Sequence, residues 1–224
     1  TRAAIRLPFN SQTRMVFAVA DRQGEIVGLF RMPDATVFSI DVAVAKARNV
    51  AYYNDAAKLQ PQDRVDQVAP GTAFTNRSFR YLALPRFPEG IDGRPPGPFS
   101  ILNDGGVDPA TGLQLGPPLP ASAFQSVQGF DAFNPGTNFR STGNPLNENG
   151  IVFFPGSSGV YRARTTLIGG FGVSGDGVDQ DDVVTSQGIL GFEPPELSRI
   201  DQVFVRGVRV PYMKFNRNPE GGVA

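Results

Sequence analysis

Proline is concentrated in the middle of this chain, and that concentration limits where regular structure can form. Residues 60–149 hold 13 of the 20 prolines and 11 of the 26 glycines. Proline interrupts helices and central strands because it lacks a backbone N–H and its ring clashes with the preceding turn. We therefore expect most helices and strands in the two flanking stretches, before residue 60 and after residue 149.

The middle stretch nevertheless carries many aromatic residues, which disordered segments usually lack. They are Phe74, Phe79, Tyr81, Phe87, Phe99, Phe124, Phe130, Phe133 and Phe139. We therefore predict a long ordered excursion, rich in proline and glycine, whose aromatic side chains pack on the domain itself or on a neighbouring subunit.

The first flank predicts a β-hairpin followed by a helix. Two short apolar runs, 15–20 and 26–32, surround turn residues that include Gly24. Ser39 is a plausible N-cap, and apolar residues then recur at spacings of three and four up to about Asn54. Alanines on this stripe would let the helix lie close against a sheet.

The second flank predicts further strands and one helix. Residues 151–154 and 165–174 have strand character, and residues 155–159 indicate a turn between them. We expect a short helix over 179–190. Residues 201–210 predict a last strand, with 202–210 offering a free edge for pairing with another chain.

Composition excludes several classes of function. Lys plus Arg and Asp plus Glu both number 21, so the chain lacks the excess positive charge of a nucleic-acid-binding protein. The sequence contains neither cysteine nor histidine, which removes thiolate chemistry, the Ser-His-Asp triad and histidine metal sites. No apolar run reaches the roughly 18 residues of a transmembrane helix. No paired acid and base is recognisable either, so we expect a protein that is not an enzyme.

Two separated motifs carry a resemblance to a known family. Residues 31–32, Ser39-Ile40-Asp41-Val42-Ala43 and Lys46-Ala47 resemble the first motif of the GlcG/HbpS haem-binding family, which has a haem-degrading or DUF336-like domain. Residues 168–175, with Asp179 and Asp182, resemble its closing glycine-rich strand and following helix.

The resemblance implies a profilin-like α/β (α+β) fold, with a central antiparallel sheet flanked by helices, and a tendency to form oligomers. We accordingly expect a single domain over residues 1–224 with a core at 13–59 and 150–192. Residues 60–149 would be an insertion and residues 193–224 a C-terminal extension. The family's longer first helix is not represented, so we expect an upstream portion to be missing.

Because family members bind haem or related tetrapyrroles, the resemblance also implies a ligand site near the first motif. The candidate residues are Arg31, Met32, Ser39, Lys46, Tyr52 and Tyr53. Of the usual haem iron ligands only methionine and tyrosine are available, so Arg31 or Lys46 binding the propionates is favoured over axial ligation. The alternative is that the tyrosines and Met32 are packing residues and Lys46 is a surface lysine paired with Asp41.

An acidic stretch suggests a second ligand, calcium. Asp176, Asp179, Asp181 and Asp182 surround a glycine and could supply oxygen ligands, although the spacing is not that of an EF-hand. The alternative interpretation is that these carboxylates cap a helix N-terminus.

These observations lead to three functional hypotheses. The first is a non-enzymatic domain that binds a haem-type or other flat ligand and belongs to an oligomer. The second is a structural or assembly protein, such as an extracellular filament subunit, that keeps the fold without binding haem. The third is a haem-degrading enzyme. The chain has no initiator Met and few lysines, which favours an exported, periplasmic or extracellular protein.

Overall fold

The structure, a computed structural model, describes residues 12–84, 86–99, 145–147 and 149–214. The strands are β1 (Val16–Asp21), β2 (Ile26–Arg31), β3 (Ser157–Arg162), β4 (Thr166–Ser174), β5 (Phe204–Val205) and β6 (Val208–Arg209). The helices are α1 (Ser39–Tyr53), α2 (Asn76–Leu82) and α3 (Val178–Gly188). The fold is mixed α/β, with an antiparallel four-stranded sheet flanked by helices, as the sequence predicts.

The sheet has the strand order β2-β1-β4-β3. Strands β1 and β2 form the predicted hairpin, in which Gly24 adopts a φ of 86° and its N–H donates to the Asp21 carbonyl over 3.1 Å. The Asp21 carboxylate accepts two further N–H groups of the turn, from Gln23 and Glu25. Because β1 also pairs with β4, the hairpin of the first flank and the strands of the second flank form one sheet.

Helix α1 packs directly on β4 and β1, and glycines in β4 make this possible. A Cβ atom at Gly170 or Gly172 would lie 2.0 or 2.1 Å from the carbonyl oxygen of Ala47 or Ala43. Both alanines are fully buried. The predicted close contact between small helix residues and a sheet is thus confirmed, because the backbones of α1 and β4 touch.

Helix α3 covers the opposite face of the sheet, since successive strand residues point to opposite faces. Phe171 lies between the two glycines that face α1, and a Cβ atom at Gly188 of α3 would be 2.8 Å from its ring. Phe171 also stacks on Phe17 of β1, which stacks on Phe30 of β2. Helix α3 begins one residue before the predicted start and ends two residues before the predicted end.

Three predictions about the ordered flanks were wrong. Ser39 is not the N-cap of α1 but its first helical residue, and its hydroxyl pairs with that of Thr36. Residues 151–154 form no named strand; the N–H of Val152 donates to the Asn49 side chain instead. Strand β3 instead begins within the predicted turn.

The predicted long strand at the C-terminal end was also wrong. A 3-10 turn (Ile200–Gln202) is followed by the two short strands β5 and β6, because Arg206 and Gly207 reverse the chain with positive φ angles. Val205, Val210 and Tyr212 are buried in the main core. Residues 200–212 therefore contribute to the domain interior and present no long free edge.

The aromatic residues of the excursion that fall in the described part of the chain pack on the domain. Phe74, Phe79 and Phe99 surround Tyr53 with ring centroids 4.7 to 5.9 Å away. Phe87 belongs to the same core cluster. Tyr81 packs against this cluster, with its ring centroid 5.5 Å from that of Phe87. The remaining aromatics of the prediction, at positions 124, 130, 133 and 139, lie outside the described residues. The boundaries of core, insertion and extension stay a prediction.

The described elements are short, and no helix among them has both the length and the hydrophobicity that a membrane span requires.

Candidate functional site

The candidate ligand residues of the first motif are spread along α1 and do not converge. Ser39 and Tyr53 begin and end this helix, so their Cα atoms are about 21 Å apart at 1.5 Å per residue. Lys46 is halfway between them. Each group therefore has to be judged by its own surroundings.

At the N-terminal end, the motif residues make local contacts. The Arg31 guanidinium donates twice to the Ala35 carbonyl, over 2.9 and 2.5 Å. The Met32 sulfur accepts the N–H of Met15 over 3.4 Å. Both side chains thereby hold the loop between β2 and α1, and Ser39 is buried beneath it.

Lys46 is neither at a pocket mouth nor on the surface, because its side chain is fully buried. Its Nζ donates to Asp181 Oδ2 of α3 over 2.8 Å and to the Val173 carbonyl of β4 over 2.6 Å. Burial lowers the pKa of Lys46, against the opposing effect of Asp181. Burial likewise raises the pKa of Asp181, to about 6. The pair joins α1 to α3 beside the last residues of β4.

At the C-terminal end of α1, the two tyrosines belong to the core. The Tyr52 hydroxyl donates to Asp63 Oδ2 over 2.5 Å and accepts the N–H of Gln60 over 3.1 Å. The Tyr53 hydroxyl is buried without a hydrogen-bond partner, inside the aromatic cluster. Burial raises the pKa of both phenols. Neither hydroxyl is presented to a cavity that could hold haem.

The acidic stretch of α3 is neutralised by cations of this chain. Asp182 Oδ2 accepts from Arg77 Nε of α2 and from the backbone N–H of Lys214, the latter over 3.0 Å. Asp179 accepts from Arg77 Nη2 over 2.8 Å and from Lys214 Nζ. With Asp181, three of the four carboxylates are thus engaged in ion pairs.

These ion pairs argue against a calcium site at α3. In the part of the chain that the structure describes, no group of three or more acidic side chains is arranged to hold a metal ion. The alternative interpretation is confirmed in part. The N-cap is Gly177 and no side chain caps it, but Asp179 and Asp181 lie in the first turn of α3, where the helix dipole favours carboxylates. Burial raises the pKa of Asp182 against the effect of Arg77, whereas for Asp179 bonds from Lys214 and Arg77 outweigh burial and lower the pKa.

A cleft lies elsewhere, between α3 and the C-terminal part of the described chain. This cleft has a volume of about 460 Å³, within the usual range of small-molecule sites. Its apolar lining comes from Ile189, Pro194, Pro195 and Met213. Its charged lining comprises the cations Arg164, Arg199 and Lys214 and the anions Glu193 and Glu196.

The cations of the cleft differ in how firmly they are held. Arg164 is mostly exposed and pairs with Glu193 over 3.1 Å, an arrangement that contributes little to stability. Arg199 pairs with Asp201, and its guanidinium lies 4.7 Å from the ring centroid of Tyr212. Arg164 is therefore the cation that can most easily exchange its protein partner for a ligand carboxylate.

A tetrapyrrole fits the donor set of the cleft better than that of the first motif. The motif residues Lys46, Tyr52 and Tyr53 are buried and cannot reach it. The cleft, in contrast, combines apolar side chains for a flat ring with three cations for carboxylates, and Met213 is the sulfur-containing residue in its lining. Sequence reasoning missed this site because its residues come from a turn, a proline pair and the last described segment, none of which forms a motif.

Comparisons with known proteins identify distant structural neighbours. No family model matches the sequence, and no curated protein matches it. The Klebsiella pneumoniae protein ORFY, of the DUF336 family, is similar in structure at 17% identity, with a TM-score of 0.39 over 81% of this chain and 76% of that one. A PduOC:heme complex is similar at 18% identity, with a TM-score of 0.39 over 87% of this chain and 83% of the other. The family named from the two motifs stays a resemblance carried by those residues.

Proposed function

We propose that this chain is a non-enzymatic domain that binds a flat, acidic ligand of the tetrapyrrole class in the cleft beside α3. The observation that carries the proposal is the lining of this cleft, where apolar side chains and three cations occur together. A porphyrin has the complementary chemistry, an apolar ring with carboxylate side chains. Arginine binds such carboxylates through two parallel hydrogen bonds.

Three groups of the cleft would hold the ligand. Arg164 would bind one of its carboxylates, and Lys214 would approach a second while its Nζ also pairs with Asp179. Pro194 and Ile189 would contact the ring. Met213 could contribute a thioether to a central iron, which when bound would supply redox chemistry. Recognition through carboxylates and ring contacts needs no metal, so we expect haemin and metal-free protoporphyrin to bind with similar affinity.

A titration with both porphyrins tests the proposal. We expect a Soret shift for haemin and a fluorescence change for protoporphyrin at micromolar protein. Arg164→Glu should weaken the binding of both porphyrins by up to about fivefold, since one exposed ion pair contributes at most about 1 kcal/mol. Arg31→Glu is the matched control, because this arginine lies outside the cleft and should leave binding unchanged. The absence of any spectral change with the wild-type protein would refute the proposal.

A second candidate function, assembly into a larger complex, is favoured by the surface around β2. In the described part of the chain, β2 has a neighbouring strand on one side only. Val27, Leu29 and Phe30 of this strand are exposed, as are Val37 and Phe38 that follow it. An edge strand with exposed apolar side chains is a typical surface for pairing with another chain.

Sedimentation velocity distinguishes this second function. If β2 mediates assembly, the wild-type chain should sediment as an oligomer, and Phe30→Lys should shift it towards the monomer. Leu197→Lys is the matched control, because Leu197 is the most exposed of the large apolar residues that the structure describes and lies away from β2. A wild-type chain that stays monomeric at all accessible concentrations would exclude self-assembly. Export from the cytoplasm stays a prediction.

A further inference from the structure

The chain segment Pro211–Lys214 forms one wall of the cleft, yet it belongs to no helix or strand. We call it the terminal segment. Its backbone is held by side chains of other elements. The Ser78 hydroxyl donates to the Pro211 carbonyl over 3.1 Å, and the Thr75 hydroxyl donates to the Tyr212 carbonyl. The position of this wall therefore depends on side-chain bonds and on the burial of Tyr212 in the core, and not on a β-ladder.

Asp182 is the third side chain that holds the backbone of the terminal segment. Its Oδ2 accepts the backbone N–H of Lys214 over 3.0 Å, and the same oxygen accepts from Arg77 Nε. Asp182 is fully buried, whereas Lys214 is partly exposed at the edge of the cleft. A hydrogen bond to a buried charged group is stronger than one between neutral groups. Asp182 thus fastens the end of the wall to α3.

From this geometry we infer that Asp182 is a positioning residue for the cleft, acting on the ligand through Lys214 and Met213. The inference rests on the proposed function, because it assigns Asp182 a part in binding the same ligand. Asp182 itself does not line the cleft. When its carboxylate is removed, the backbone N–H of Lys214 loses its acceptor. Lys214 then keeps the bond from its Nζ to Asp179 but no longer a fixed backbone, and Met213 is held only by its packing on the core.

The chain offers a close control for this test. Asp55 is also buried, accepts from Arg22 Nε over 2.9 Å and accepts the backbone N–H of Ala57 over 3.0 Å. Asp55 therefore makes the same two kinds of bond as Asp182, at the far end of α1 and away from the cleft. Substitution of either aspartate should lower stability, but only substitution of Asp182 should change the cleft.

The experiment measures porphyrin affinity and amide hydrogen exchange of residues 210–214 in full-length Asp182→Ala, Asp182→Asn and Asp55→Ala. For Asp182→Ala we expect about tenfold or more weaker binding and a similarly faster exchange at Lys214, the effect of losing a charged hydrogen bond. Asp182→Asn keeps one acceptor oxygen and should fall between this variant and the wild type. It carries the test if Asp182→Ala does not fold.

The possible outcomes separate this inference from the proposed function. If the wild-type protein binds neither porphyrin, the proposed function fails, and the exchange rate at Lys214 alone decides whether Asp182 positions the segment. If the wild type binds and the Asp182 variants bind equally well with unchanged exchange, the inference is overturned. It is also overturned if Asp55→Ala changes both quantities as much as Asp182→Ala.

Discussion

The buried pair of Lys46 and Asp181 allows a quantitative test of what this motif lysine does. The Nζ and Oδ2 atoms are 2.8 Å apart, which gives an attraction of roughly 6 kcal/mol at an effective dielectric constant of about 20. Removing both charges from water costs several kcal/mol per ion, so the net contribution of the pair is small. Removing one partner is different, because the other charge then stays buried alone.

We therefore expect Lys46→Met to lower the free energy of unfolding by about 3–5 kcal/mol. Asp181→Leu should have a similar effect, since it leaves the ammonium group buried. The double variant has no buried charge at this position and should be about as stable as the wild type, because replacing a buried ion pair by apolar side chains is often neutral. The two substitutions should thus be strongly non-additive.

Urea unfolding followed by circular dichroism measures these values, because the chain has no tryptophan. Additive effects within about 0.5 kcal/mol would refute the reasoning, since such additivity is found for residues that do not interact. Porphyrin binding by the folded double variant also tests whether Lys46 contacts the ligand. This variant should bind porphyrin as the wild type does, and a complete loss of binding would show that the lysine contacts the ligand.

Three further predictions concern the sheet, the tyrosines and pH. Gly172→Ala should lower the free energy of unfolding by about 1–3 kcal/mol or more, because its Cβ would be 2.1 Å from a helix carbonyl oxygen. Gly28→Ala is the control, since its Cβ would have no neighbour closer than 3.7 Å. Equal thermal unfolding temperatures of the two variants would contradict this prediction. Tyr52→Phe should cost about 1.5–3 kcal/mol by losing a bond to a carboxylate, whereas Tyr53→Phe should cost nothing in urea unfolding. Burial raises the pKa of Asp181 to about 6 from 3.8, so between these pH values the folded state retains a proton that the unfolded chain releases. The free energy of unfolding should therefore fall as pH rises from about 4 to about 6. Asp181→Asn should lack this pH dependence.

Local patterns in the sequence were sufficient for most of the sheet and for two helices. The apolar runs that became β1 and β2 are short and bounded by turn residues, and Gly24 supplies the required positive φ. Helix α1 follows from its apolar stripe. These predictions succeed because the deciding interactions lie within a few residues of each other.

The elements that the sequence did not reveal depend on distant contacts. Strand β3 contains three small residues at its start, and it is extended because it pairs with β4. Helix α2 is short, although its capping box between Thr75 and Ser78 is a local signal that could have been recognised. Residues 151–152 have strand composition, but Val152 bonds to side chains of two helices. Its N–H donates to Asn49 Oδ1 of α1, and its carbonyl accepts from Asn76 Nδ2 of α2.

The ion pairs of the motif residues were missed for the same physical reason. Lys46 and Asp181 are 135 positions apart, and Arg77 and Asp182 are 105 apart, so no spacing in the sequence shows that they are partners. Both pairs include residues of the two family-like motifs. The motif lysine and aspartates hold the helices to each other and to the terminal segment. Their occurrence in the sequence is therefore explained by the fold, and a ligand has to be sought where cations remain accessible, at Arg164 and its neighbours in the cleft.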